Sequence, residues 1–382
     1  MPKLSICIPV EPGYAPPIHL VERLLAKPDA DIEIIVAPYL DSCRAATDLY
    51  ERADRDRRLV ILPDAPENIS AANLWIGIVA AVTGEWLTLV RPGDMIEPDL
   101  ADVLAYVDRE LPGTDALGWN SFQIDASHPR DIPASIAIPR QHHITAMDKT
   151  PMLQAFFLWA GALDTPSMPF GLFHGAIRRT LLETILANSG PLSWLTPLPQ
   201  YEWSARVLMF CEQMALSYRP LSAVDFRPYR PLAIPSPLEG FPFNAGIGVT
   251  AAIADIQARL LTDLGSPWNG FGDNFIRACL IDCMKTHDRA AFDAKVAAYR
   301  EALARCGDGR YAPGFAPEYC PAPSPDRRRG IYGQVLHADR FLGNAVTAQD
   351  FYAAASGILS AIKVVTGKAL APREEQAFLD AS

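Results

Sequence analysis

Short runs of almost unbroken apolar residues recur along the first hundred positions, and between them apolar side chains return every three or four residues. Residues 4–10 read LSICIPV, the pattern of a strand buried on both faces, with Pro9 and Pro12 stopping it. Leu20, Val21, Leu24 and Leu25 then fall at helical spacing, and residues 31–36 (DIEIIV) return to strand. The exchange repeats: 58–62 (RLVIL) predicts a strand, 70–82 an Ala-rich helix, 86–90 a strand and 98–107 a helix. Regular alternation of this kind predicts an α/β fold whose mostly parallel sheet carries helices on both faces. Ligands in such sheets bind beyond the carboxyl ends of the strands. Those ends are Pro9-Val10-Glu11, Ala37-Pro38-Tyr39, Pro63-Asp64 and Arg91-Pro92-Gly93-Asp94.

Beyond residue 116 the pattern loosens. Residues 118–124 predict a further strand, 177–186 a helix, and 201–213 another helix after the Pro-rich loop GPLSWLTPLPQ. Proline is dense again over 227–243 (RPYRPLAIPSPLEGFPF), which predicts a linker. Past the linker the alternation gives way to helix: 246–264 and 274–306 are Ala-rich and helical, 307–329 is a Pro-punctuated loop, and 348–366 is a last helix. An α/β domain over 1–235 and a mainly α-helical C-terminal region over 236–382 are expected.

Composition narrows the class. With 382 residues, 49% of them apolar and 20% charged, the chain can bury a large core, which excludes general disorder. A formal net charge of -10 argues against nucleic acid as a partner, because sequence-independent binding runs on phosphate neutralisation by clustered Lys and Arg. The weakly polar run at 152–163 (MLQAFFLWAGAL) falls well short of the ~20 residues a membrane-spanning helix needs, and the first residues do not have the form of an export signal. A cytoplasmic protein with no transmembrane segment is expected, with peripheral membrane contact left open. Seven scattered cysteines without a Cys-x-x-Cys pair suggest neither a disulfide framework nor a zinc site.

Six segments, taken in order, resemble the family 2 inverting glycosyltransferases with a GT-A fold. LSICIPV and DIEIIV resemble the first two strands, and ENISAANLWIGIVAAVTGEWL the Asn-and-Ala helix with its Thr-Gly-Glu turn. LVRPGDMIEPDL resembles the metal-motif turn, FGLFHGAIRRTLLETI the acceptor-side segment, and QYEWSARVLM the helix that brings the catalytic carboxylate. The resemblance implies a GT-A-like domain with a nucleotide-binding half (1–110) and an acceptor half (111–235). It also implies transfer, with inversion, of a sugar from a nucleotide diphosphate-sugar donor to a hydroxyl of a glycan, lipid-linked or other acceptor. Such a reaction needs positive charge where the diphosphate leaves and a carboxylate base beside the attacking hydroxyl.

At both places the residues depart from the family. Arg91 and Gly93 stand where the two carboxylates of Asp-x-Asp would be, and Asp94 follows. Either Asp94 holds a divalent cation, manganese or magnesium, with His174 as a further ligand, or Arg91 meets the diphosphate directly through its planar fork. A plain Arg91–Asp94 surface pair is the structural alternative. On the catalytic helix, Pro199-Gln200 replaces the usual carboxylate pair, and Glu202 is the nearest acid, so it is the expected base together with Asp94 in the catalytic set. A helix-start Glu paired with Arg206 would look the same in sequence. Pro9, Val10, Glu11, Pro38 and Asn68 complete the expected nucleotide-sugar contacts with Arg91, Gly93 and Asp94. The loss of signature carboxylates also admits a catalytically inactive relative that binds a glycan, a nucleotide or a partner protein.

Overall fold

The structure is a computed structural model. It describes the chain except residues 12, 29, 40–41, 44–45, 66–70, 126, 169, 197, 226–235 and 368–382. The expected alternation is present. β1 (Leu4–Val10), α1 (Ile18–Leu25), β2 (Ile32–Pro38), α2 (Thr47–Arg55), β3 (Leu59–Ile61), α3 (Ala71–Val79) and β4 (Trp86–Leu89) follow one another. After them come β5 (Met95–Ile96), α4 (Leu100–Glu110), β6 (Ala116–Ile124), β7 (Ser135–Pro139), β8 (Ile144–Met147) and α5 (Lys149–Phe157). The chain continues through β9 (Gly175–Arg178), α6 (Arg179–Ala187), α7 (Pro199–Phe210) and β10 (Met214–Asp225). Its last part holds α8 (Val249–Asp263), α9 (Asp273–Met284), α10 (Arg289–Ala304), β11 (Gly330–Tyr332), β12 (Val335–Asp339), α11 (Ala348–Ser356) and α12 (Ile362–Val365).

The main sheet runs β3-β2-β1-β4-β9-β6-β10-β5, with β8 also paired to β10. β1 is parallel to both neighbours, Leu4 standing opposite Ile32 on one side and Trp86 on the other. All seven β1 residues are buried, which is why its run of apolar side chains is continuous. β9 is antiparallel to β4 and β6, and β10 returns parallel to β6. The architecture is therefore mixed α/β with a large, mostly parallel central sheet flanked by helices.

Side-chain alternation divides the interior into two cores. Leu87 and Leu89 of β4 face a core shared with α3, α6, α7 and the Ala-rich helices α8, α9 and α10. Leu4, Ile6 and Ile8 of β1 face a second core, shared with α1, α4 and the late helices α11 and α12. The C-terminal part thus covers both faces of the sheet. It also contributes two strands that the sequence did not predict: β11 pairs β12, and β12 pairs β7. The proline-dense stretch ends in the core, since Phe243 is fully buried.

Three expected helices are corrected, the last of them over 348–366, which is not one helix but two, α11 and α12. Residues 175–178, which overlap the start of the expected helix at 177–186, are strand β9, because Ile177 is captured between Leu87 of β4 and Ala116 of β6. The helix expected over 274–306 is two, broken before Asp288, whose carboxylate caps α10 by accepting from the Ala291 N–H at 2.8 Å. Among the described residues no helix is long and apolar enough to cross a membrane.

Candidate functional site

The carboxyl ends of β4, β6 and β10 meet the start of α7 around a cavity of about 450 Å³. Arg91, Gln123, His174, Gln200, Tyr201 and Asp225 are among the side chains that line it. Arg91 follows β4, where the chain turns sharply: the Asp94 N–H donates to the Arg91 carbonyl at 3.0 Å. This folds the two side chains together. Arg91 Nε donates to Asp94 Oδ2 at 2.7 Å, and Nη2 donates to Asp94 Oδ1 at 3.2 Å and to the Asp225 carbonyl at 2.9 Å. The Asp225 N–H in turn donates to Asp94 Oδ1 at 2.9 Å. One buried carboxylate, 1% exposed, thus joins the β4 turn to the end of β10.

The remaining edge of Arg91 matters most. Nη1 makes no hydrogen bond among the described residues, the side chain keeps 18% exposure on the cavity wall, and the guanidinium lies 5.2 Å from the Phe173 ring centroid. Desolvation works against its charge, but Asp94 outweighs it, aided by Tyr14 and Asp225, and the Arg91 pKa is raised. Burial pushes the Asp94 carboxyl up, while Arg91 and the Asp225 N–H pull it down.

The turn is braced from behind. Gln349 of α11 donates to the carbonyls of Pro92 at 3.3 Å and Asp94 at 3.2 Å. Three residues on, Glu97 takes a 2.8 Å ion pair from Arg219 and a 2.8 Å hydrogen bond from the Tyr352 hydroxyl, all three side chains being buried. The C-terminal region therefore holds the turn that presents Arg91. Gly93 is exposed and has open space where a Cβ would stand, so no close contact requires glycine there.

A divalent cation needs several oxygen ligands. Here both Asp94 oxygens face a guanidinium, and no group of three His, Cys, Asp or Glu side chains among the described residues is placed to hold a metal. The residues present do not fit the manganese or magnesium that the resemblance implied through Asp94 and His174. His174 does line the cavity, with its Nδ1 sealed and without a hydrogen-bond partner among the described residues. Burial, helped by the charge of Arg91, lowers its pKa from 6.5 to about 4, so the ring is neutral at pH 7. It packs so closely on Gly171 that a Cβ there would lie 2.1 Å from Nε2.

Glu202 stands away from the cavity. Pro199 opens α7, and at about 100° per residue Gln200, Tyr201 and Ser204 share one side of the helix while Glu202 and Arg206 share the other. The first three line the cavity; Glu202 does not. It is 4% exposed and accepts from the Trp194 N–H at 2.8 Å and from Arg206 Nε at 3.0 Å. Arg206, fully buried, continues to Ser193 Oγ at 2.6 Å and stacks 4.7 Å from the Trp194 ring centroid. Glu202 is a buried strut between α7 and the loop before it, and burial raises its pKa against the pull of Arg206.

At the β1 end, Pro9 and Val10 are buried in the sheet opposite Ala37 and Pro38, and Tyr39 N–H donates to the Val10 carbonyl at 3.1 Å. Pro9, Val10, Glu11 and Pro38 do not line the cavity wall. They lie one strand away from it: the Val90 N–H donates to the Cys7 carbonyl at 2.9 Å, and Tyr14 is near enough to act on the Arg91 charge. Asn68 lies outside the described residues. Sequence reasoning missed Gln123 and Asp225, which close β6 and β10. Their signal was weak, because β10 carries Pro220 and alternates irregularly.

No family model matches the chain, and no curated protein matches it in sequence. Among solved structures, S. aureus TarS 1-349 in complex with UDP-GlcNAc aligns over 82% of this chain and 88% of its own, at 12% identity and a TM-score of 0.48. The longer crystal structure of S. aureus TarS aligns over 87% of this chain and 56% of its own, at 14% identity and a TM-score of 0.46. A mycobacterial protein aligns over 70% of this chain and 76% of its own, at 17% identity and a TM-score of 0.37. The α/β fold class stands on the strand order and register of this chain itself.

Proposed function

We propose that the cavity receives a nucleotide diphosphate-sugar, with the Nη1 edge of Arg91 on the diphosphate and no resident divalent cation, and that the protein transfers the sugar to an acceptor hydroxyl with inversion. The observation that carries this reading is a guanidinium fixed at the end of β4 by a buried carboxylate, with its uncommitted edge on the cavity wall. A planar donor fork suits phosphate oxygens and replaces the neutralisation a metal would give. The neutral amides Gln123 and Gln200 suit sugar hydroxyls. Asp225 is the carboxylate on this wall among the described residues, and takes the place of Glu202 as the proton acceptor.

Calorimetric titration with UDP- and GDP-sugars, with and without manganese, tests it. Saturable binding that does not depend on the metal is expected, and Asp225→Asn should lower turnover while leaving donor affinity in place. Binding only in the presence of manganese would overturn the metal-free reading, and no response to either nucleotide would overturn the donor site. A second reading has its own support, since Gln200 occupies the helix start where a base would stand and cannot accept a proton. Saturable binding without transfer or hydrolysis of any donor would make the protein a nucleotide-sugar binder.

A further inference from the structure

Arg340 directly follows β12 and is 5% exposed. Its Nη2 donates to the carbonyl of Asp125, immediately after β6, and its guanidinium lies 5.0 Å from the Phe341 ring centroid. Nε and Nη1 are both buried, and neither has a hydrogen-bond partner among the described residues. Leaving donors of a cation unmade in the interior costs free energy, so such a group calls for a reason.

The neighbouring carboxylates do not supply it. Asp125 accepts from the N–H and hydroxyl of Ser127, at 2.9 and 2.5 Å. Asp339 accepts from Arg329 at 2.6 Å and from the Phe341 N–H at 2.8 Å. Burial lowers the Arg340 pKa, while Asp125, Asp225 and Asp339 oppose the change from a distance. The position is also informative. Asp225 stands opposite Ile124 in the sheet, so the end of β6 that Arg340 holds is the rim on which Gln123 and Asp225 line the cavity. Arg91 donates to the Asp225 carbonyl, and Arg340 is near enough to feel the Asp225 charge.

We propose that the unpartnered Nε and Nη1 edge of Arg340 is an oxyanion site behind the Asp225 rim, taking a phosphoryl or carboxylate oxygen of a bound substrate. A guanidinium edge with two parallel donors is the geometry that two oxygens of one such group match. Both nitrogens are out of reach of bulk water, so the oxyanion must displace the side chains that cover them. The source is the donor's diphosphate or an acidic group on the acceptor; the chemistry is common to both. The site does not depend on the nucleotide-sugar reading.

The test is a thermal-shift titration of the full chain with inorganic phosphate, and separately with UDP, at ionic strength matched with chloride. Wild type, Arg340→Gln, Arg340→Met and Arg91→Gln are compared. Saturable stabilisation of the wild type by phosphate is expected, weakened about tenfold or more in Arg340→Gln. Without phosphate, Arg340→Met should melt at or above the wild-type temperature, since it removes unmade donors. Loss of the UDP response as well in Arg340→Gln would assign the oxyanion to the donor, and an intact UDP response would assign it to the acceptor. An unaltered phosphate response in Arg340→Gln, or one abolished by Arg91→Gln alone, would overturn the proposal, as would a marked fall in the melting temperature of unliganded Arg340→Met. No wild-type shift with UDP, beside a phosphate shift that needs Arg340, would remove the nucleotide reading and leave this one standing.

Discussion

Two arginine–carboxylate pairs of nearly the same composition are built differently in this fold. Arg91 and Asp94 are three residues apart, Glu202 and Arg206 four, and both carboxylates are buried. Around Arg206 the polar partners surround the guanidinium: Glu202, Ser193 and the Asn188 carbonyl accept from it, and the side chain is completely buried. Around Arg91 one edge is committed to Asp94 and the Asp225 carbonyl while the other reaches the cavity. A buried ion pair is therefore no sign of function by itself. What separates the two is whether the cation has donors left over, and where they point.

The largest way to sharpen this contrast is Arg206→Ala. It strands the Glu202 carboxylate in the interior, and breaking one side of a buried pair costs about 3–5 kcal/mol. Urea unfolding should show that loss, and a change below about 1 kcal/mol would mean that the pair is no strut. Glu202→Gln keeps the shape and an acceptor for the Trp194 N–H, so its cost should be smaller and donor binding should be unaffected.

Arg91→Gln is expected to act the other way round. Its main effect falls on ligand: losing a charge-assisted contact to phosphate should weaken nucleotide-sugar binding by about 10- to 100-fold. Stability should change less than for Arg206→Ala, because Asp94 retains the Asp225 N–H and Arg91 was already part-exposed. Equal affinity in titrations of wild type and variant would remove the distinction between the two pairs.

How much of this was legible follows from what each residue touches. The strands β1, β2 and β4 were readable because they are covered on both faces and their apolar runs need no partner to be recognised. The Thr-Gly-Glu turn was visible, but its cause was not. Glu33 of β2 accepts from the Thr83 N–H at 2.7 Å, the Thr83 hydroxyl at 2.8 Å and the Gly84 N–H at 3.1 Å, and a Cβ at Gly84 would lie 2.6 Å from Ser5 Oγ. The link from Glu33 to Thr83 spans fifty positions. The opposed faces of α7 were legible in principle, since Gln200 and Glu202 two positions apart cannot share a helix face. The strands β9, β11 and β12 are short, and their pairing depends on distant segments that periodicity does not reveal.

A smaller steric effect tests the shape of the cavity wall. Gly171→Ala would put a methyl group 2.1 Å from His174 Nε2, so the ring must shift. Overpacking of this kind costs about 1–3 kcal/mol. Because His174 lines the cavity beside Arg91, donor affinity should fall in step with stability. A stable Gly171→Ala protein with unchanged binding would show that the wall yields without consequence.

The smallest effect is the titration of His174 itself. In the folded chain its pKa is lowered from 6.5 to about 4, first by burial and then by the Arg91 charge, while the unfolded chain takes up the proton at the ordinary value. Stability from this group is therefore complete above about pH 6.5 and is lost as pH falls towards about 4. The shift sets a ceiling of about 3 kcal/mol, and the half-buried position of the residue reduces it to about 1–2 kcal/mol. Buried carboxyls such as Asp94, whose pKa is raised, work in the opposite direction over the same range, so the informative quantity is a difference. Urea unfolding of wild type minus His174→Gln, measured between pH 7 and pH 4, should fall steadily. A flat difference would place the ring in contact with water and remove Arg91 as its electrostatic neighbour. A difference that falls in Arg91→Gln as steeply as in wild type would leave burial alone as the cause.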